Sequence, residues 1–392
     1  MARRLVVIAL ALLLALQVVR NSAVAAFADR EPDRAARFWG HHPDTEIALG
    51  MTEIGRAARN REPVPANVFP MMSDAALKAP LAAEPFLVRG VEAQLTGNAL
   101  LAIQAFSAAE RRDPRSLPAH YFLADQLFRS GDTRRGLGEV GVLARLAPNG
   151  LRSLAPYVAA YAKDPSNWPR LRELFRTNPE VEEAALDALS TDHSNADTIM
   201  ALADQSHRGP RAIWLPGLLE SLVTAGEYQK ALAIWTAAAA RPGTRAGGTI
   251  YDAGFADADA PAPFNWTLMS STVGLAERQP GARLHVIFYG REDGWLAREL
   301  LLLRPGTYRM TMSASGNAAD ARALTWSVRC DRSQTPFAAV PLDVASARSW
   351  TFTVPAGCPA QWLELSGVSS DVARQSEVSI GRLSLVMEGP RG

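Results

Sequence analysis

The sequence predicts a two-part molecule, a helical repeat array followed by an antiparallel β-sandwich, carried out of the cytoplasm by its first residues. Three observations predict it. A spacing of 34 residues recurs in the first half, the hydrophobic period becomes two beyond residue 249, and an apolar run behind an arginine pair opens the chain. At 392 residues the chain exceeds one ordinary domain of about 100–200 residues. Its 48% hydrophobic and 21% charged residues are enough to bury real cores. The 41 basic and 40 acidic residues leave a net charge of +1, without the basic excess of a nucleic-acid binder. Two cysteines and six histidines leave little material for a structural zinc site.

Residues 1–28 read as a signal peptide or signal-anchor. Arg3-Arg4 precede Leu5–Val19, which carries no charge until Arg20. Ala23-Val24-Ala25 and Ala26-Phe27-Ala28 both fit small-x-small cleavage. The alternative is a retained anchor, for which Leu5–Val19 is short of the roughly 20 residues of a spanning helix. Either outcome keeps the arginine pair in the cytoplasm and exports the rest. The expected location is the periplasm, tethered to the inner membrane or soluble after cleavage.

Residues 45–245 read as helices. Gly97 and Gly131 are 34 apart, as are Pro114 and Pro148, and apolar residues recur at helical spacing between them. Gly90, Ala102, Phe106, Ala109 and Pro114, then Ala124, Gly136, Val140, Ala144 and Pro148, carry the small, aromatic and proline positions of a 34-residue helix-turn-helix unit. These residues resemble the tetratricopeptide repeat. A third unit, Trp214–Ala240, places Gly226 at its turn and Tyr228, Ala231, Trp235 and Ala238 in register. Leu151–Ser206 is helical but off-period, punctuated by Pro156, Pro165, Pro169 and Pro179, the last read as an early stop. An entry helix is expected over 45–60. Stacked units of this kind present a concave surface, so a protein partner is expected there.

Arg241-Pro242-Gly243 through Gly247-Gly248 forms a turn-rich break, and residues 249–389 read as strands. Leu284, Val286 and Phe288 alternate with polar neighbours, as do Leu324, Trp326 and Val328, and Trp350, Phe352 and Val354. Further strands are expected over 264–269, 296–303, 307–315, 361–366 and 378–388. Nine to eleven short strands suit a jelly roll. Export places Cys330 and Cys358 where disulfides persist, so their pairing is expected over two buried thiols.

Gly254-Phe255, Phe264-Asn265-Trp266, Leu284–Gly290, Leu303–Tyr308, Leu324–Cys330 and Val354–Cys358 together resemble the carbohydrate-binding-like jelly roll of bacterial exopolysaccharide and O-antigen-associated tetratricopeptide proteins. The resemblance implies envelope polysaccharide work without a catalytic residue set. Tyr289, Trp295 and Trp362 are the expected glycan contacts, because ring faces stack on apolar sugar faces. Trp266, Trp326 and Trp350 are expected in the core.

No catalytic, metal or cofactor residue is assigned. His41-His42 with Asp44 and Glu46, and Asp192-His193, read as solvated loop groups. The G-x-S-x-G elbow, phosphate loops and dinucleotide fingerprints do not occur in the sequence. The leading reading is a non-enzymatic exported scaffold with a protein partner on the repeats and a glycan or polysaccharide machine on the sandwich. The alternatives are a stand-alone carbohydrate-binding protein and a polysaccharide-cleaving enzyme. The enzyme would need two facing carboxylates from Glu299, Glu364 and Glu377, each read on or near a solvent-facing position.

Overall fold

The computed structural model describes residues 2–239, 249–369 and 373–388; the turn-rich break at 241–248 lies outside them. The chain divides into two compact units, Met1–Ala184 and Ala185–Gly392.

In the first unit, α1 (Ala2–Phe27) exposes Leu5, Leu12, Val19 and the apolar residues between them, and it is long and apolar enough to cross a membrane. Its carboxy-terminal end behaves differently. Val24 and Ala28 are buried with Ala35 of α2 (Pro32–Trp39), and the Arg20 guanidinium lies 4.3 Å from the Trp39 ring centroid. The entry helix, α3 (Pro43–Asn60), starts at an N-cap supplied by His42, whose Nδ1 accepts from the Asp44 amide at 3.3 Å. It packs on α4 (Val68–Lys78).

The repeats follow as α5 (Glu84–Leu95), α6 (Ala99–Arg112), α7 (Leu117–Arg129) and α8 (Thr133–Leu146), each packed on the next. Gly97 and Gly131 sit at the two intra-unit turns with φ of 76° and 83°, a backbone region that penalises any Cβ. Asn98 and Asp132 then cap α6 and α8, accepting from Leu101 N and Arg135 N. At the α5–α6 crossing, a Cβ on Gly90 would lie 2.3 Å from Phe106 Cε1, so the glycine is what lets the ring in. Ala102, Phe106, Ala109, Ala124, Val140 and Ala144 are all buried, which is the repeat register read from the sequence. One tie was not legible there. Buried Asp125 of α7 accepts from Gln94 Nε2 (3.1 Å), Arg129 Nε (2.8 Å) and Tyr157 Oη (2.6 Å). Those partners lie on α5, α7 and α9 (Ala155–Ala162), so one carboxylate joins successive first helices.

Beyond α8 the chain uses short pieces: α9, α10 (Trp168–Thr177), α11 (Pro179–Ser190) and α12 (Ala196–Leu202), with single 3₁₀ turns among them. The prolines open these pieces instead of ending them. Pro156 and Pro169 occupy the first turns of α9 and α10, and Pro179 is the first residue of α11, so the expected early stop is a start. Proline loses no hydrogen bond in the first turn, which explains the inversion.

The second unit adds α13 (Trp214–Ala225) and α14 (Tyr228–Ala239), joined at Gly226 with φ 84°. Ten strands follow among the described residues: β1 (Thr267–Leu268), β2 (Gly274–Gln279), β3 (Arg283–Phe288), β4 (Gly294–Leu301), β5 (Gly306–Ser315), β6 (Leu324–Cys330), β7 (Ala338–Pro341), β8 (Trp350–Val354), β9 (Gln361–Gly367) and β10 (Ser376–Met387). One sheet has the order β1-β4-β9-β6-β7 and the other β2-β3-β10-β5-β8, with every neighbouring pair antiparallel. Successive strands from β3 to β6 and from β8 to β10 alternate between sheets, which is jelly-roll connectivity. Tetratricopeptide-like helices followed by an antiparallel sandwich is therefore the architecture.

Trp266, Trp326 and Trp350 enter one core with Phe255, Phe288 and Leu363 between the sheets. Cys330 and Cys358 are disulfide-bonded, with Cα atoms 5.5 Å apart. Two expectations are corrected here. The strand expected over 264–269 is reduced to β1, and Phe264 and Trp266 are buried outside it. The strand expected over 296–303 is β4, which begins at Gly294 and so takes in Trp295. The strands β2 and β7, and the single-turn helices α15 (Ala318–Arg322) and α16 (Leu342–Ala347), were not expected.

Candidate functional site

The outer face of the β4–β9 sheet holds two of the three aromatic residues singled out as glycan contacts. Trp295 and Arg298 project from β4 and Trp362 from β9. The Arg298 guanidinium stands 4.2 Å from the Trp295 centroid and 4.7 Å from that of Trp362. A cation between two ring faces is attracted to both. Burial lowers the Arg298 pKa from its ordinary value, Arg329 adds to the fall, and Glu364 and Glu220 oppose it. Arg329 in turn forms a two-pronged pair with Glu364, with both N–O distances 3.0 Å.

This face belongs to α13 and α14. Trp362 Nε1 donates to Asp331 Oδ1 at 2.7 Å, and the Tyr228 hydroxyl of α14 donates to Asp331 Oδ2 at 2.8 Å. Trp235 of α14 donates to Pro261 O at 2.8 Å and meets Tyr251 edge-on, with centroids 4.6 Å apart. Trp362 is consequently only 9% exposed. It is tied through Asp331 to Tyr228, more than a hundred positions earlier in the chain, and its burial corrects the expectation of an exposed glycan contact. Trp295 remains half-buried with its ring face against Arg298, and half-buried Tyr289 follows β3 in the other sheet. The three aromatic residues do not form one platform.

The strand carboxylates also separate. Glu299 is 1% exposed and accepts from the Tyr251 amide at 2.8 Å. Glu364 is buried in its arginine pair. Cross-strand register sets Glu299 beside Leu363 and Glu364 beside Arg298, so the two carboxylates leave opposite faces of one sheet. Glu377 is exposed on β10 of the other sheet and pairs with His285. Both buried positions correct the solvent-facing expectation, and no two of the three face each other.

Of the histidine groups, His41 and His193 are exposed, as expected, whereas Glu46 is not. Glu46 is buried and bonds Lys78 Nζ at 2.9 Å, with His41 Nδ1 3.4 Å away. His193 Nδ1 lies 2.8 Å from Glu227 on the α13–α14 turn. Among the described residues no cluster of histidine, cysteine and carboxylate groups has the makings of a metal site.

A second feature lies in the first unit. A groove of about 340 Å³ runs between α8 and α10, floored by Gly138 and Gly141 and edged by Arg134, Arg145 and Arg170. Gly141 sets its depth, since a Cβ there would sit 3.5 Å from Leu174 Cδ1. Glu173, the acidic residue on its wall, is already paired with Arg176 at 2.6 Å. The groove therefore offers three guanidinium groups and no free carboxylate among the described residues that line it. It was not legible in the sequence, because its arginines come from helices of different periods.

No family model matches the chain, and no curated protein matches it. Among solved structures, it is similar to the accessory secretory protein 1, 2 and 3 structure from Streptococcus pneumoniae, at 12% identity and a TM-score of 0.24, over 30% of this chain and 87% of that one. It is also similar to yeast Tom70, at 12% identity and a TM-score of 0.28, over 52% of this chain and 44% of that one. The chain thus spans less than half of the Tom70 chain, and likenesses this faint carry no argument about role.

Proposed function

We propose that this protein is a non-enzymatic, exported scaffold of the cell envelope, tethered by α1, that holds a protein partner on its helical repeats and a glycan on its sandwich. The observation that carries the scaffold reading is the arginine-edged groove between α8 and α10, whose unopposed positive charge suits an acidic segment of a protein partner. The disulfide supports an oxidising compartment, and a periplasmic location fits it.

Retention of α1 as an anchor is favoured over cleavage. Both small-x-small sites fall where α1 packs on α2, and cutting there would strip Val24 or Phe27 from the buried cluster around Ala35. Arg20, which sat awkwardly in a spanning segment, is held by Trp39 in the folded body.

Photo-crosslinking in cells from a benzoylphenylalanine at Gly138 tests the partner. Discrete adducts are expected, and they should vanish in the Arg134→Glu/Arg170→Glu double variant. An absence of adducts, or adducts indifferent to charge reversal, would remove the scaffold reading.

A further inference from the structure

We infer that the sandwich carries a binding site for an acidic sugar residue at the open end of the β3–β10–β5 strands, which deepens the glycan reading above and rests on it. A cavity of about 550 Å³ lies there, edged by Arg283 and Arg382. Its construction follows from the strand register. Ser313 of β5, Gly381 of β10 and Arg283 of β3 stand side by side in one cross-strand row. Gly381 presents no side chain in the middle of that row. A Cβ there would meet Ala282 O at 3.3 Å, Arg283 Cγ at 3.5 Å and Ser313 Oγ at 3.6 Å, so a larger side chain would occupy the trough between arginine and serine.

The β10 ladder then slips between Gly381 and Ser384, and Arg382 within the slip has φ 53°. An arginine in the left-handed region is held there against its preference, and such residues concentrate at ligand sites. The bulge brings a second arginine, with Arg283, into the lining of the cavity. Neither arginine is paired with a carboxylate among the described residues, and none of the cavity's lining residues is acidic. On this face, Glu277 and Glu377 are engaged by His285 at 3.2 and 3.0 Å.

Two unopposed guanidinium forks are a carboxylate receptor. The rest of the lining suits sugar hydroxyls. Ser313 Oγ donates to Gly381 O at 3.0 Å and Ser315 Oγ to Ser379 O at 3.4 Å, which leaves both oxygens free to accept. A carboxylate with hydroxyls around it is a uronic acid. An acidic peptide would satisfy the arginines and leave the serine row unused.

The test is calorimetric titration of the full-length, detergent-solubilised protein with tetragalacturonate, cellotetraose, tetraglutamate and inorganic phosphate. Saturable binding of tetragalacturonate is expected, weakened about tenfold in Arg283→Gln and in Arg382→Gln. Gly381→Leu should abolish it, and the melting curve of the sandwich reports whether that variant keeps its fold. Arg283 lies in regular strand, so its variant keeps the test open should the bulge variant misfold. Equal binding of tetraglutamate or phosphate would overturn the uronate assignment, and binding indifferent to both arginines would overturn the site. Cellotetraose binding that ignores the arginines would leave the glycan reading standing without this site. Failure of both sugars would end both.

Discussion

His120 shows how one buried group ties a repeat together and makes it pH-sensitive. It is 2% exposed, with Nδ1 2.6 Å from Glu139 of α8 and Nε2 3.0 Å from Pro114 O. Both contacts are satisfied at once when both ring nitrogens carry protons. Burial by itself would lower its pKa; the hydrogen bonds to Glu139 and Pro114 outweigh that, and the net shift is upward. A raised histidine contributes stability that is fully present below the unfolded value of about 6.5 and is lost as pH rises through the folded value. The melting temperature of the first unit should therefore fall between pH 6 and pH 9, and His120→Asn should flatten that slope. An unchanged slope in the variant, read by circular dichroism, would show that the histidine is neutral in the fold. At the same scale, Phe106→Ala should cost roughly 3–5 kcal/mol, because the ring is fully buried and fills the notch left by Gly90. Denaturant unfolding of the first unit measures it, and a loss under about 1 kcal/mol would mean the ring is not packed as described.

Elements were unevenly legible. The repeat turns could be read because Gly97, Gly131 and Gly226 mark left-handed positions that few other residues fill. The strands β3, β6 and β8 could be read because every second residue is buried in the core. By contrast, β2 was missed because its run Gly-Leu-Ala-Glu-Arg-Gln buries only Gly274 and Ala276 fully, which leaves little apolar pattern. Trp362 was misplaced because its burial is set by α14, which no local pattern of β9 reveals. Asp331 is the hinge of that contact, accepting from both Trp362 and Tyr228. Asp331→Ala should raise amide exchange across α14, Tyr228–Ala239, while leaving α5–α8 unchanged. Uniform protection of α14 in the variant would show that Trp235 alone holds the helix. The disulfide acts on its own element too. Closing the 28-residue separation between Cys330 and Cys358 is worth about 3–4 kcal/mol. Reduction should lower the sandwich transition and spare the first unit, and a drop in both would tie their unfolding together.

For the molecule as a whole, the architecture was more legible than the site. A change of hydrophobic period and a pair of small-residue offsets are enough to tell helices from sandwich. Aromatic side chains announce burial and binding in the same way, so only the neighbours that a fold brings from far along the chain separate the two. The cavity beside Arg283 needed a register to appear, since Ser313 and Gly381 become its neighbours through pairing alone. The protein we propose is exported and keeps its amino-terminal helix. Intact-mass spectrometry of the chain extracted from membranes, alkylated under denaturing conditions without reductant, tests both properties in one spectrum. The predicted result is a single species with α1 present and no thiol label. A species shortened near Ala25 or Ala28, or one labelled at both Cys330 and Cys358, would contradict it.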